Sequence, residues 1–162
     1  MGLRKKVEDK LLGNYENYYR LAYSYVKNES DAMDVVQESA YKAIKSCHLI
    51  KKEEYISTWI YRIVVNTSLD FLRKHKYEVV GVMDHDTSYE DSYKDIDMYN
   101  ILNQLEVEDR VIVILRYFED QKLEDIADIT GNNLSTVKTK LYRALRKLKV
   151  TIEKEEGLIR KV

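Results

Sequence analysis

The residues of this chain best equipped for chemistry are cations sorted by position. Between Ser135 and Val150 stand six of them, Lys138, Lys140, Arg143, Arg146, Lys147 and Lys149, with no acid among them. The stretch before, LEDIADIT, carries Glu124, Asp125 and Asp128 instead. Gly131, Asn132 and Asn133 lie between, residue types that tolerate a tight turn, and Ser135 or Thr136 can cap the next helix. Val137, Leu141, Ala144, Leu145 and Leu148 recur at steps of three and four, which predicts a helix with one buried stripe and its cations outside. Two helices around a tight turn, the second basic, make a helix-turn-helix pattern. Such a helix fits the major groove of duplex DNA, where its first residues reach base edges and its Lys and Arg neutralise phosphates. A three-helix core with a solvated basic face fits the same residues.

Other chemistry is poorly served. His48, His75 and His85 do not cluster with a nucleophile in the sequence, and no Gly-rich phosphate loop is present. The single cysteine, Cys47, has only His48 as a neighbouring ligand type, so an ordinary thiol is its default and neither a disulfide nor a metal site is expected. No cofactor and no enzymatic activity are expected. The opening MGLRKKVEDK leads into no apolar run, Lys6 spoils a myristoylation signal, and no window approaches a membrane span. A cytoplasmic protein is expected.

The elements that must position the basic helix are themselves helical. The chain has 162 residues, no proline and five glycines, which suits one domain or two small ones built from long helices. Residues 11–76 read as three helices. The first buries Leu12, Tyr15, Tyr19, Ala22 and Val26. The second, capped by Ser30 or Asn28, buries Ala32, Val35, Val36, Ala40, Ala43 and Ile44. The third buries Ile56, Trp59, Ile60, Ile63, Val64, Leu69 and Leu72. Four more are expected after Met98, in MYNILNQL, EDRVIVILRYFED, LEDIADIT and STVKTKLYRALRKLKVTIEKEE. Net charge is −1 overall but unevenly placed: residues 1–76 carry +4, residues 77–98 carry −6 and residues 99–162 carry +1. The acidic middle stretch holds no helical period and reads as an interdomain linker.

Taken whole, the chain resembles the extracytoplasmic-function (group IV) sigma factors of bacterial RNA polymerase, members of the sigma-70 family, over about residues 12–150. RLAYSYVKNESDAMDVVQESAYKAI resembles the polymerase-binding helices of sigma region two, and YISTWIYRIVVNTSLDFLRK its promoter-melting helix. LEVEDRVIVILRYFEDQKLEDIADITGNNLSTVKTKLYRALRKL resembles region four. The first of these runs looks closest to the sigma-V subgroup, associated with lysozyme stress. One departure is Glu106, where many relatives have proline; glutamate suits a first helical turn as well.

The resemblance implies an all-α fold of two small helical domains. Region two falls in residues 1–76, the acidic linker in 77–98 and the region four helix-turn-helix in 99–162. Asp31, Asp34, Gln37 and Glu38 are implied to dock on the clamp helices of the largest polymerase subunit; the three acids fall at steps of three and four and share a face. Contacts to the −10 element are implied for His48, within the loop Ser46 to Glu54, and for Tyr55, Trp59, Arg62, Asn66, Arg73 and Lys74. Unpaired bases need such stacking surfaces and cations. Trp59 also fits the apolar stripe of its helix. The −35 element is implied to be read by Lys138, Thr139, Tyr142 and Arg143, with Ser135, Thr136, Lys140, Arg146 and Lys147 mainly on phosphates. Arg143 would pair bidentately with guanine, worth about 1–3 kcal/mol of discrimination. Tyr142 either joins that surface or wedges into the core.

The implied partners are core RNA polymerase, through the clamp helices and the flap of the second subunit, promoter DNA, and a membrane-anchored anti-sigma factor. That anti-sigma factor would cover the polymerase-binding faces and hold the protein at the inner face of the membrane. The implied function is to direct polymerase to stress-response promoters and start their melting. An autonomous helix-turn-helix regulator is the main rival; it would bind its operator alone, usually as a dimer, without need of the DVVQE helix. A protein-binding helical adaptor is a third reading, disfavoured by the acid-free basic helix.

Overall fold

Short apolar repeats between charged residues decide where this chain becomes helical. Leu3, Val7 and Leu11 stand four apart; Val7 is fully buried, and the other two pack against the core beside it. They make an N-terminal helix, α1 (Leu3–Gly13), in a computed structural model that describes residues 2–75 and 100–160. The sequence pattern predicts helix only from about residue 11, because charges outnumber apolar residues before it. At Asn14 the chain breaks step: its backbone and side-chain nitrogens both donate to the Lys10 carbonyl, at 3.1 and 3.0 Å. The new helix α2 (Tyr15–Val26) therefore buries a different face from the one expected. Tyr18, Leu21, Ala22 and Tyr25 go inward, while Leu12 is 80% exposed and Tyr15 41%.

Lys27 ends α2 in a left-handed conformation, and Asn28 starts α3 (Glu29–Ser46) by accepting the Asp31 amide at 2.9 Å. Two single 3-10 turns, Cys47–Leu49 and Glu53–Tyr55, lead into α4 (Ile56–Lys74). Helices α2, α3 and α4 pack together, and Ala32, Val35, Val36, Ile60 and Val64 fill the space between them. Full burial of each larger side chain here stabilises by about 1.5–3 kcal/mol. Leu69, expected inside, is 39% exposed.

After residue 100 the chain makes one helical turn at 100–103, then α5 (Val107–Val113), which runs on into a π-helical turn, Ile114–Phe118. The extra residue per turn is marked by the Glu119 amide, which reaches back five residues to the Ile114 carbonyl at 3.0 Å. α6 (Leu123–Thr130) and α7 (Leu134–Arg160) come next. Gly131 joins them at φ 74°, a left-handed conformation that favours glycine. The cap of α7 is Asn133, whose side chain accepts the Thr136 amide at 2.8 Å; Ser135 and Thr136, the expected caps, already lie in the first turn. Val111, Ile112, Leu115, Ile126, Ile129, Val137, Leu141 and Ala144 are the core of this second bundle. Among the described residues every regular element is helical. The acidic stretch 77–98 lies outside them.

The two bundles touch. α6 packs on α4, and α5 on α2. This cover explains why α4 buries Tyr61 and Val65 as well as its Ile60 and Val64 face. Tyr61 donates to Glu119 Oε2 at 2.8 Å, and Arg20 lies 4.0 Å from Glu119 Oε1. Arg110, 2% exposed, donates to the carbonyl of Ser24 across the boundary and to that of Leu105 within its own bundle. The contact thus buries one acid and one cation from the C-terminal bundle.

Candidate nucleic-acid interface

α7 presents its side chains in three stripes. Val137, Leu141 and Ala144 are buried, with Leu145 and Leu148 half-buried beside them. Ser135, Lys138, Thr139, Tyr142 and Arg146 succeed one another at steps of three, one, three and four, and all are exposed. Tyr142 is 59% exposed, so it belongs to this open face and not to the core. Between these two stripes, on the side of α5, lie Thr136, Lys140, Arg143 and Lys147.

Arg143 is engaged within the protein. Its Nε and Nη2 donate to Asp109 Oδ2 and Oδ1, at 3.0 and 2.7 Å. Asp109 sits in the first turn of α5 and is buried. The carboxylate beside it, with Glu106 and Glu108 near, holds the guanidinium pKa above its ordinary value. One edge of Arg143 is therefore occupied within the protein while its Nη1–Nη2 edge is not, and Arg146 stands on the open stripe with Thr139 and Tyr142. Lys140 is likewise held by Glu108. Among the described residues no ion pair engages Lys138, Arg146 or Lys147, which leaves their charge available to phosphates.

A second open stripe runs along α4. Trp59, Arg62, Asn66, Leu69 and Arg73 recur at steps of three and four; Trp59 is half-buried and the rest are exposed. Trp59 packs against the core with part of its side chain and leaves part at the surface. Arg73 pairs with Asp70 at 2.5 Å. Lys74 is exposed but lies off the stripe, at the end of the helix. His48 is exposed in the first 3-10 turn and Tyr55 half-buried in the second. Beside them a cleft of about 450 Å³ opens where α1 meets this loop, lined by Lys6, Lys10, Glu53, Glu54, Ile56 and Ser57. Periodicity alone assigns two members of this stripe inward, Trp59 and Leu69, and of these Leu69 is exposed.

A third face belongs to α3. Asp34, Gln37 and Glu38 are exposed, and Asp31 is half-buried as its amide caps into Asn28. Met33, 44% exposed, and Tyr41, 64% exposed, stand one turn before and after Gln37. Sequence reasoning points only to the polar members. The signal for the others is present, since 33, 37 and 41 avoid the buried stripe at 32, 35, 36 and 43. No group of three or more His, Cys, Asp or Glu that could hold a metal occurs among the described residues, and Cys47 is a half-buried free thiol.

The helices bearing the α3 and α4 faces fall inside residues 13–77, which match the model of sigma-70 region 2. The α7 face falls inside residues 95–148, which match sigma-70 region 4. The chain belongs to the sigma-70 family. RNA polymerase sigma factor SigV of Bacillus subtilis (strain 168) is 48% identical over 147 residues, 87% of each chain. The extracytoplasmic-function sigma factor SigW of the same organism is 29% identical over 82% of each chain. The solved sigma factor RpoE of Bartonella quintana, in complex with the anti-sigma factor NepR, superposes with a TM-score of 0.76 at 25% identity, over 90% of this chain and 96% of that one. CnrH, in complex with the cytosolic domain of CnrY, shares the fold, with a TM-score of 0.66 at 18% identity over 91% and 87% of the two chains. These relatives make the chain an RNA polymerase sigma factor of the extracytoplasmic-function type. Among the described residues, no helix of this sigma factor is long and apolar enough to cross a membrane.

Proposed function

We propose that this sigma factor directs core RNA polymerase to stress-response promoters through the three open faces described above. The N-terminal domain, residues 1–76, docks on the clamp helices through Asp31, Asp34, Gln37 and Glu38. It holds the opened −10 strand along Trp59, Arg62, Asn66 and Arg73, with His48, Tyr55 and Lys74 beside them. The C-terminal domain, residues 99–162, meets the polymerase flap and lays the Ser135–Arg146 stripe of α7 in the −35 major groove. One observation carries this reading: a single chain holds an open stripe on α4, with exposed cations beside a half-buried tryptophan, and an exposed, acid-free stripe on α7. The first suits unpaired bases and the second a duplex groove.

The packed arrangement of the two domains is a resting state on this reading. The −10 and −35 elements are about 25 base pairs apart, about 85 Å along the duplex at 3.4 Å per pair. Two bundles in direct contact cannot read both ends of that span, so polymerase binding must part them. The same surfaces suit a second partner. An anti-sigma factor, membrane-anchored, would keep the protein from polymerase until a stress signal arrives; the RpoE relative solved with the anti-sigma factor NepR supports an anti-sigma partner.

The test is transcription in vitro with bacterial core polymerase on a promoter library, with and without the protein, beside the Asp34→Arg, Gln37→Ala double variant. New transcripts lost in the double variant are the expected result. Specific duplex binding by the protein alone, with no transcripts, would favour the autonomous regulator.

A further inference from the structure

We propose that Asp109 is a positioning residue of the −35 reader, which fixes the guanidinium of Arg143 so that only its Nη1–Nη2 edge can meet DNA. The inference rests on the reading of α7 as the −35 helix. Asp109 is 5% exposed, and both its oxygens are spent on Arg143. Arg143 keeps a side chain 53% exposed. A pair with one buried and one open partner differs from a surface ion pair, in which both side chains wander and little is fixed. Here the buried carboxylate is held by its helix, and the planar fork of arginine takes its orientation from it. Acids in a first helical turn also offset the helix dipole, but that role needs no buried carboxylate and no bidentate partner.

The geometry has two consequences for recognition. Guanine can be read by either edge of a guanidinium, end-on or side-on. Asp109 occupies the side-on edge, Nε with Nη2, so the end-on approach is the one left to read guanine. The charge of Arg143 is also largely matched within the protein, as Glu108 matches Lys140. Arg143 then contributes orientation more than phosphate attraction, and Lys138, Arg146 and Lys147 supply the latter.

Asp109→Asn removes the charge at almost constant shape and frees Arg143 to turn. Holoenzymes carrying wild type, Asp109→Asn, Arg143→Lys and the double variant are to be compared on a promoter library randomised through the −35 element, together with the salt dependence of promoter binding. In wild type one −35 position should show a preference of roughly tenfold or more, the discrimination of a good bidentate pair. Asp109→Asn should cut that preference to about twofold while binding stays as tight or tightens. The slope of log K against log salt should steepen by about 0.9, one further phosphate contact. Arg143→Lys, a change at an exposed site, should lose the same preference, and the double variant should lose no more than either. A merely structural role would weaken binding to every sequence alike and leave the base preference intact. That result, or a preference lost in Asp109→Asn but kept in Arg143→Lys, overturns the inference while the sigma reading stands. No transcripts from wild type would overturn both.

Discussion

Removing one hydroxyl should loosen the boundary between the two domains. Tyr61 Oη donates to Glu119 Oε2 at 2.8 Å, and Glu119 Oε1 already has no hydrogen-bond partner. In Tyr61→Phe the carboxylate would keep only Arg20, at 4.0 Å, while its side chain stays fully buried. A buried acceptor left unsatisfied costs about 1–3 kcal/mol, more when charged. A loss of about 2 kcal/mol is therefore expected, equivalent to about a 30-fold shift from packed to parted domains at 1.4 kcal/mol per tenfold. The edge-to-face contact of ring 61 with Tyr18, centroids 5.2 Å apart, survives the change, so the core of the first domain should not suffer.

Glu119→Gln has the opposite sign. Burial first of all holds the Glu119 carboxyl above its usual pKa range, against the opposing pulls of Tyr61 and Arg20. A carboxyl whose pKa rises on packing takes up a proton as the domains close. Closure is then favoured at low pH and weakens as pH rises through the raised pKa. Tyr18 and Tyr61, both pushed up by burial and then by Glu119, stay protonated throughout and do not confuse the titration. The amide that Glu119→Gln introduces cannot ionise and still accepts from Tyr61. Closure should thus be stronger at neutral pH and flat with pH. Hydrogen exchange of α4 and α6, with small-angle scattering for the overall dimensions, reads both variants. Equal protection in wild type and Tyr61→Phe, or a pH dependence that persists in Glu119→Gln, would refute the reasoning.

Three further outcomes are expected. Gly131→Ala forces a side chain into φ 74° with open space around the new Cβ, so only backbone strain of about 1 kcal/mol should appear, a melting point lower by about 2–4 °C; no change would contradict the left-handed turn. Lys138→Ala and Arg146→Ala should each reduce the salt slope of promoter binding by about 0.9, whereas Lys140→Ala, already matched by Glu108, should change it less; equal effects would dismiss the division of the α7 cations. Met33→Ala and Tyr41→Ala should weaken core polymerase binding without loss of helix content or melting temperature, because both side chains are exposed; unchanged affinity would confine docking to the polar residues.

Much of this architecture is legible because it is written in local period. The stripes of α3, α4 and α7 repeat every three or four residues, and their open faces emerge by subtraction. α1 escapes a sequence reading although Leu3, Val7 and Leu11 keep the same period, because Arg4, Lys5, Lys6, Glu8, Asp9 and Lys10 crowd the same turns. The face of α2 is misread because the chain loses step at Asn14, and a periodic reading carries straight across the break. Neither error needs information from outside the segment to correct it. The Arg143–Asp109 pair does, since 34 residues separate its members and each alone reads as a surface charge.

The domain boundary is the least legible feature, and its chemistry suggests why it is built so. Arg110 and Glu119 flank the most apolar run of their domain, yet both are buried against the other domain with one polar atom each lacking a hydrogen bond, Nε and Oε1. Apolar residues of similar volume would seal such a contact more firmly, since a buried charge recovers its desolvation cost only when fully paired. On the proposed reading, a firmer seal would hinder a protein whose two readers work about 85 Å apart. On that reading, incomplete pairing keeps the closed state weak enough for polymerase to part, and the Glu119 carboxyl, held above its usual pKa range by burial, favours closure when protonated. The residues that make the boundary unreadable from sequence are thus, on the proposed reading, those that let it open.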